Sequence, residues 1–362
     1  MKHWQETAAI LERLSSLPGD TRAALATVVR ISGSAYRRPG AKLLVEGEGG
    51  THGGISGGCL ETDVRAQALE TMRGAGGRIL HYDTGSGEET VWGMGLGCEG
   101  AVDLWVQPVD ARWRAGGLTA MRAHIDAGVP FAPLTIVGGP LASASAVYAR
   151  GELHGTSGDA ALDEELVRRA GRILESGEGD AGSALVEAGA HTVFVDALRP
   201  PPRLIVFGAG DDARPLATLS VQAGFDVTVV DHRPAFLTTD RFPPPIRHLS
   251  RRPKDGLPPH AASRRLFAVV QTHALANDRG WVQLLATQPL AYLGILGPRV
   301  RREQIVRDLA LDPERLYAPV GLDVGADGPE QVAISIVAEM LAVLRHRQPG
   351  HLRARAGGIH EE

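Results

Sequence analysis

An apolar strand that runs into a glycine turn and then a helix leaves few folds open to a chain. Arg203-Leu204-Ile205-Val206-Phe207 reads as a buried strand, and Gly208-Ala209-Gly210-Asp211-Asp212-Ala213 as the turn. A helix follows to about Ala223, then a second strand, Asp226-Val227-Thr228-Val229-Val230-Asp231. The acid at its end stands roughly 20 residues beyond the turn, where a ribose hydroxyl is met in dinucleotide-binding folds. Phe267-Ala268-Val269-Val270 and Leu290 to Leu296 supply further buried strands. The pattern predicts a Rossmann-like domain with a parallel sheet, and Gly208, Gly210 and Asp231 are its nucleotide-binding candidates. His273 falls in a loop after a strand, where this fold keeps its ligand crevice; an acid–base or ligand role and an ordinary loop histidine are both open. Asp211 and Asp212 would repel a pyrophosphate, and Arg214 offsets part of that.

Three consecutive prolines, Pro200-Pro201-Pro202, cannot sit in a central strand or helix and mark a linker. The expected division is an N-terminal domain over 1–199, the Rossmann-like domain over 200–346 and a disordered tail over 347–362. The first domain reads as α/β. An amphipathic helix covers 4–16 and others 117–127 and 161–176, among strands at 24–31, 42–45, 78–83, 102–106, 132–137, 145–148 and 192–196. No internal repeat is visible.

Within that domain Gly53-Gly54-Ile55-Ser56-Gly57-Gly58-Cys59-Leu60-Glu61 gathers four glycines and a cysteine ahead of a helix. Such a turn brings free amides close to a ligand, and the helix dipole favours an anion or a thiolate there. A buried, inert cysteine is the competing reading. The other cysteine, Cys98, also stands among glycines, in Gly93-Met94-Gly95-Leu96-Gly97-Cys98-Glu99-Gly100. No C-x-x-C supports zinc; isolated cysteines in glycine loops suit a soft ligand better. Arg38 and Lys42, in the preceding loop and strand, are candidates to complete an anion site, or are surface charges flanking a hairpin.

The composition narrows partners. A net charge of −4 with no basic block argues against nucleic acid. No apolar run approaches the roughly 18 residues that span a bilayer, and the N-terminus lacks the apolar core of a signal peptide. With 2 cysteines a disulfide framework is excluded, so a cytoplasmic setting is expected.

Taken in order, these landmarks resemble the xanthine dehydrogenase accessory proteins of the XdhC/CoxI type. The resemblance is carried by Gly33-Ser34, Arg38-Pro39-Gly40-Ala41-Lys42, Gly57-Gly58-Cys59-Leu60-Glu61 and Gly95-Leu96-Gly97-Cys98. It continues through Phe207-Gly208-Ala209-Gly210, Val230-Asp231-His232-Arg233, Thr272-His273 with Asp278, Gly294-Ile295-Leu296-Gly297, and Gly321-Leu322-Asp323-Val324-Gly325 before Pro329-Glu330. Glu99 departs from it, standing where a glycine is associated with the pattern, and so do Asp211 and Asp212. The resemblance implies an N-terminal XdhC/CoxI-type domain and a C-terminal Rossmann-like one. It implies a chaperone without turnover of its own that binds molybdenum cofactor (molybdopterin). It also implies that this protein protects the cofactor during sulfuration and delivers it to a molybdenum hydroxylase. Arg38, Lys42, Gly57, Gly58, Cys59, Glu61 and Cys98 are the cofactor-binding residues it suggests, with Cys59 contacting the molybdenum and Cys98 supporting it. A cysteine desulfurase and a second copy of the chain are the further partners implied. The competing function is an NAD(P)-dependent oxidoreductase using Gly208, Gly210, Asp231 and His273.

Overall fold

The computed structural model describes residues 2–33, 37–74, 76–83, 100–175, 182–258 and 265–354. The chain forms two compact units, Met1–Pro200 and Pro201–Glu362. Among the described residues no helix is long and apolar enough to cross a membrane.

The first unit opens with helix α1 (Lys2–Ser16) and strands β1 (Ala23–Gly33), β2 (Lys42–Glu46) and β3 (Thr51–Gly53). Helix α2 (Glu61–Thr71) and strands β4 (Arg78–Asp83) and β5 (Gly100–Pro108) follow. The strands make an antiparallel sheet in the order β3-β2-β1-β5-β4. A short helix α3 (Ala111–Trp113), a π-helical turn at Arg114–Leu118 and helix α4 (Thr119–Asp126) lead into β6 (Ala132–Gly138), β7 (Ser145–Ala149) and β8 (Glu152–Gly155). Helix α5 (Ala160–Glu175) precedes β9 (Ala184–Ala188) and β10 (His191–Val195). Their sheet runs β8-β7-β6-β10-β9, again antiparallel.

Three strands, a helix and two strands therefore occur twice, with one strand order. The repeat escaped the sequence because β3 and β8 are short and exposed, and because the two copies differ in loop length. Each helix covers its own sheet. In the first copy Val64 and Ala68 pack on Val28, Leu43, Leu104 and Val106; in the second Leu162, Leu166 and Ala170 pack on Leu134, Ile136, Val193 and Val195. On the opposite faces equivalent strands meet, with Val29 and Trp105 of β1 and β5 against Val137 and Phe194 of β6 and β10. Burying the large Trp105 and Phe194 rings there stabilises the pair of sheets by roughly 1.5–3 kcal/mol each.

One ion pair joins the two copies. The Lys42 ammonium, at the start of β2, is buried against the carboxylate of Asp196, just past β10, and also donates to the Gly40 carbonyl (2.9 Å). The Ser183 hydroxyl donates to the other Asp196 oxygen (2.7 Å). Gly40, at φ +95°, makes room: a Cβ there would lie 2.8 Å from Asp196 and 3.2 Å from the His3 ring. His3 is pushed down to about 4, by burial first and by the neighbouring Lys42 charge second, so it is neutral near pH 7.

The second unit contains β11 (Arg203–Phe207), α6 (Ala213–Gln222), β12 (Asp226–Asp231) and β13 (Arg247–Ser250). It ends with β14 (Leu266–Val270), α7 (Leu275–Leu285), β15 (Tyr292–Ile295), α8 (Arg299–Leu309) and α9 (Gly328–Leu344). Its sheet is parallel in the order β13-β12-β11-β14-β15, so the winding reverses between β11 and β14. Helices α7 and α8 bury Trp281, Val282, Leu285 and Ile305 against alternate residues Ile205, Phe207, Leu266, Ala268 and Val270. The residues between, Leu204, Val206, Phe267 and Val269, are buried too, so both faces are covered as a parallel sheet requires. Of the expected tail, Leu352–Ala354 forms one 3-10 turn, and residues 355–362 lie outside the described residues.

The glycine turn after β11 is tied to the end of β12. Asp231 Oδ2 accepts from the Ala209 amide (2.8 Å), and its carboxylate takes a bidentate pair from the Arg233 guanidinium (3.0 and 2.8 Å). Burial alone would push this carboxyl up. The hydrogen bonds from Arg233 and from the Ala209 and Arg233 amides outweigh it and pull the group down to about 2.

Two outcomes are expected. Lys42→Met should destabilise the first unit by about 3–5 kcal/mol because it strands the Asp196 charge, while Lys42→Met with Asp196→Leu should recover most of that loss. Urea unfolding of the three proteins tests it; equal stability of the single and double variants would count against the pair as the joint. For Asp231 the folded value, about 2, lies below the ordinary 3.8. Its stabilisation is therefore complete above pH 3.8 and lost as the pH falls towards 2. Asp231→Asn should lower stability at neutral pH and flatten its decline between about pH 4 and pH 2, read from denaturant midpoints across that range.

Candidate functional site

In a meander that runs up, down and up, the loops after β1, β3 and β4 emerge at one end of the first sheet. Their described residues are 37–41 and 54–60. Gly33 pairs with Gly100 and Asp83 with Ala101, so the strands bracketing the first and third loops end side by side. The Tyr82 phenol donates to Asp63 in the first turn of α2, which brings the cysteine loop to the same corner. Burial and that carboxylate hold the phenol above its ordinary value. The backbone thus gathers Arg38, Lys42, Gly57, Gly58, Cys59 and Glu61 at one end; Cys98, with the rest of 84–99, lies outside the described residues.

The cysteine loop is closed by the helix that it opens. Glu61 Oε1 accepts from the Ile55 amide (3.2 Å) and the Ser56 amide (3.0 Å), and Oε2 takes the Ser56 hydroxyl. The same hydroxyl accepts from the amides of Gly58 and Leu60, each at 3.2 Å. Burial would raise the Glu61 carboxyl, but the Ser56 and Ile55 bonds outweigh it and hold it below the usual carboxylate range. Glu61 is a brace for the loop, and its oxygens are already engaged. Gly53, at φ +91°, must be glycine, since a Cβ would lie 2.4 Å from the Lys42 carbonyl. Gly58 has φ +112°, yet a Cβ on it would meet nothing within 4 Å, so its backbone faces open space. Cys59 is a half-buried free thiol. Its amide and that of Gly57 have no acceptor among the described residues.

The second copy of the motif provides an internal comparison. Between β8 and α5 stands Gly155-Thr156-Ser157-Gly158-Asp159, with Gly155 at φ +97° and Gly158 at φ +97°. Gly158 donates to the Thr156 hydroxyl (3.0 Å), as Gly58 does to Ser56. Asp163, in the first turn of α5, accepts from the Ser157 amide (2.8 Å) and the Thr156 hydroxyl (2.6 Å), as Glu61 does in the first copy. Positive-φ glycines, a hydroxyl and a returning acid are thus the scaffold of this loop. What the copies do not share is the residue after the second glycine: Cys59 in one, and in the other Asp159, which caps its own helix at the Ala161 and Leu162 amides. They differ again after the fourth strand. Only Gly189 and Ala190 connect β9 to β10, whereas residues 84–99 with Cys98 connect β4 to β5.

The flanking cations are placed differently from expectation. Lys42 is committed to Asp196 and is not presented to the loop. Arg37, the other arginine of that loop, is paired with Glu6 of α1. Arg38 is half-buried at the turn before β2, where its carbonyl accepts from the Ala41 amide (3.1 Å).

In the second unit Gly208, Gly210, Asp231 and His273 do converge, at the switch between β11 and β14. Gly208, at φ +116°, lets the two loops touch, since a Cβ would lie 2.3 Å from the Gln271 carbonyl. A Cβ on Gly210 would meet Asp212 Oδ1 at 2.7 Å and His273 Nε2 at 3.6 Å. The Asp212 carboxylate thus fills the space that the second glycine of a dinucleotide turn leaves for pyrophosphate, and it is bonded to His273 Nε2 (2.8 Å). Asp211 is offset by Arg241 (2.9 Å), whose guanidinium also reaches the Ala209 carbonyl, and not by Arg214. A ribose diol at Asp231 would have to displace Arg233. None of these side-chain partnerships had a signal in the sequence beyond the i, i+2 spacing of Asp231 and Arg233. His273 sits at φ +58°, a strained conformation for a residue other than glycine. Its neighbour Thr272 is fixed by the fully buried Asp278, which Arg301 pairs at 3.0 Å.

Comparison with known proteins agrees with both units. Residues 17–83 match the model of the XdhC and CoxI family, and residues 204–340 match that of the XdhC Rossmann domain. A protein of Bacillus subtilis, described as a probable component of xanthine dehydrogenase, is 33% identical over 90% of this chain and 94% of its own length. The molybdenum cofactor insertion chaperone PaoD of Escherichia coli is 23% identical over 90% of this chain and 85% of its own. A crystal structure from Bacillus halodurans, described as a xanthine dehydrogenase, is similar with a TM-score of 0.76 at 29% identity, over 94% of this chain and 96% of that one. With its cysteine loop, its Rossmann turn and a relative of this identity along nearly its whole length, the chain belongs to the XdhC/CoxI family.

Proposed function

We propose that this protein is a molybdenum-cofactor carrier that shelters the cofactor during sulfuration and hands it to the apo-form of a molybdenum hydroxylase, without turnover of its own. The observation that carries the reading is the difference between the two copies. The same braced glycine loop occurs twice in one unit, and only the first presents a thiol beside unpartnered amides. That donor set suits a ligand with a soft metal–sulfur centre and anionic oxygen: Cys59 offers sulfur, and the Gly57 and Cys59 amides offer N–H groups near a helix start. The redox chemistry of the molybdenum belongs to the enzyme that receives it. This chain's residues hold, orient and shield.

A nicotinamide-dependent oxidoreductase is the weaker reading. Its ribose-binding acid is bonded to Arg233, and a carboxylate occupies its pyrophosphate position.

Cys59→Ser keeps nearly the same volume but replaces a soft, ionisable ligand with a hard hydroxyl. The variant should unfold within about 1 kcal/mol of wild type, yet lose most molybdopterin after anaerobic gel filtration. In cells lacking this protein the hydroxylase polypeptide should accumulate inactive, with its cofactor absent or unsulfurated. Wild type should restore it, and Cys59→Ser should not. Fully active hydroxylase in the deleted strain would remove the delivery reading, and full cofactor retention by Cys59→Ser would reduce Cys59 to a packing residue.

A further inference from the structure

The second unit has a cavity remote from its glycine turn. It lies at the amino edge of the parallel sheet, where α7 and α8 end and β15 begins, and its volume is about 340 Å³. Leu285, Leu290, Leu311, Leu316 and Tyr317 make its apolar walls, and the exposed Asp312, Glu314 and Arg315 complete its lining. One Asp312 oxygen accepts from the Glu314 amide (3.0 Å), which leaves the Glu314 carboxylate in water. The same edge carries a leucine in water. The Ser335 hydroxyl of α9 donates to the Leu322 carbonyl, close to where the Val320 amide meets Ile295 at the end of β15. One turn on, Glu339 accepts from the phenol of Tyr292 at the start of β15, so α9 runs towards the amino edge. Beyond it residues 348–354 are all exposed, and Leu352, opening a 3-10 turn, is 64% exposed. Gln348-Pro349-Gly350 parts this segment from the helix, and His351 and Arg353 flank the leucine.

We propose that residues 348–354 are an exchange arm, and that Leu352 of one copy of this chain enters the amino-edge cavity of a second copy. The two features are complementary in chemistry. The cavity offers walls of leucine and tyrosine, and the arm offers a large apolar side chain that gains by leaving water. Asp312 and Glu314 stand where the arm's His351 and Arg353 arrive. Arg315 offsets one of those acids, so the leucine supplies the affinity and the charges supply the direction of entry. Arm and cavity lie at one edge of one unit, so a two-fold axis beside that edge lets each copy give an arm and receive one. Such an exchange satisfies both features at once and closes on itself. It is independent of what the cysteine loop of the first unit holds.

The test is sedimentation equilibrium of the full-length protein. Wild type should be a dimer, and Leu352→Asp should raise the dissociation constant of the dimer at least roughly 10-fold, the effect of returning one leucine side chain to water. The Tm of the dilute Leu352→Asp monomer should be that of the wild-type monomer, because an exposed residue has been changed. Glu314→Arg should weaken the dimer too, and Arg353→Glu added to it should restore part of the loss. A second experiment reads which copy receives the arm. Chains carrying Leu352→Cys, mixed with chains carrying Leu290→Cys and oxidised with glutathione disulfide, should form an interchain disulfide that peptide mapping assigns to those two positions. A monomeric wild type overturns the proposal and leaves the arm to another protein. A dimer unchanged by Leu352→Asp places the interface elsewhere and overturns it as well. So does an intrachain disulfide in a chain carrying both cysteines, which would seat the arm on its own body.

Discussion

A lysine ammonium drawn out of water must be given a carboxylate, and the first unit is assembled around that demand. Lys42 begins β2 of one motif copy, and Asp196 follows β10 of the other. Their contact requires the positive-φ Gly40, whose missing side chain leaves room for Asp196, Ser183 and His3 together. The sequence Arg38-Pro39-Gly40-Ala41-Lys42 is thus a joint between sheets. Because Lys42 also accepts from the Gly54 amide through its carbonyl (2.8 Å), the joint sets the level at which the cysteine loop leaves β3. A buried charge pair contributes little net stability against an apolar replacement, but it penalises every arrangement in which the partners are apart.

The elements of the fold were legible where periodicity was strong. The parallel strands of the second unit, its fingerprint turn and the long helix after Pro329 follow from apolar runs and glycine placement alone. The strands that escaped notice, β3, β8, β9 and β13, are short and lie at sheet edges, where one partner strand supplies the order and the side chains need not be apolar. The duplication was hidden for a related reason: topology is kept by the core positions of ten strands, while the motifs that catch the eye in sequence sit in the loops, where the copies have diverged.

The site was legible by residue type but not by role. Cys59 and its glycines stand in the turn before a helix, as expected, while Glu61 and Lys42, expected to bind cofactor, are bonded within the chain to the loop amides and to Asp196. The distinction cannot be drawn from one sequence, since both roles ask for a charged residue beside a glycine turn. It becomes visible when the same chain repeats the turn with Asp163 in the bracing position and without the cysteine.

Both glycine turns in this protein meet the same electrostatic problem in the same way. A turn that opens a helix concentrates amide donors, and an anion from outside competes there with carboxylates from within. In the first unit Glu61 takes the Ile55 and Ser56 amides; in the second Asp231 takes the Ala209 amide and Asp212 covers Gly210. An internal carboxylate needs no ordering on binding, so it wins over a weakly held free phosphate. Neither turn is therefore a general anion hole. Each keeps groups that its own carboxylates leave unsatisfied, a thiol beside amides without an acceptor among the described residues in one, and the buried Gln271 amide nitrogen in the other.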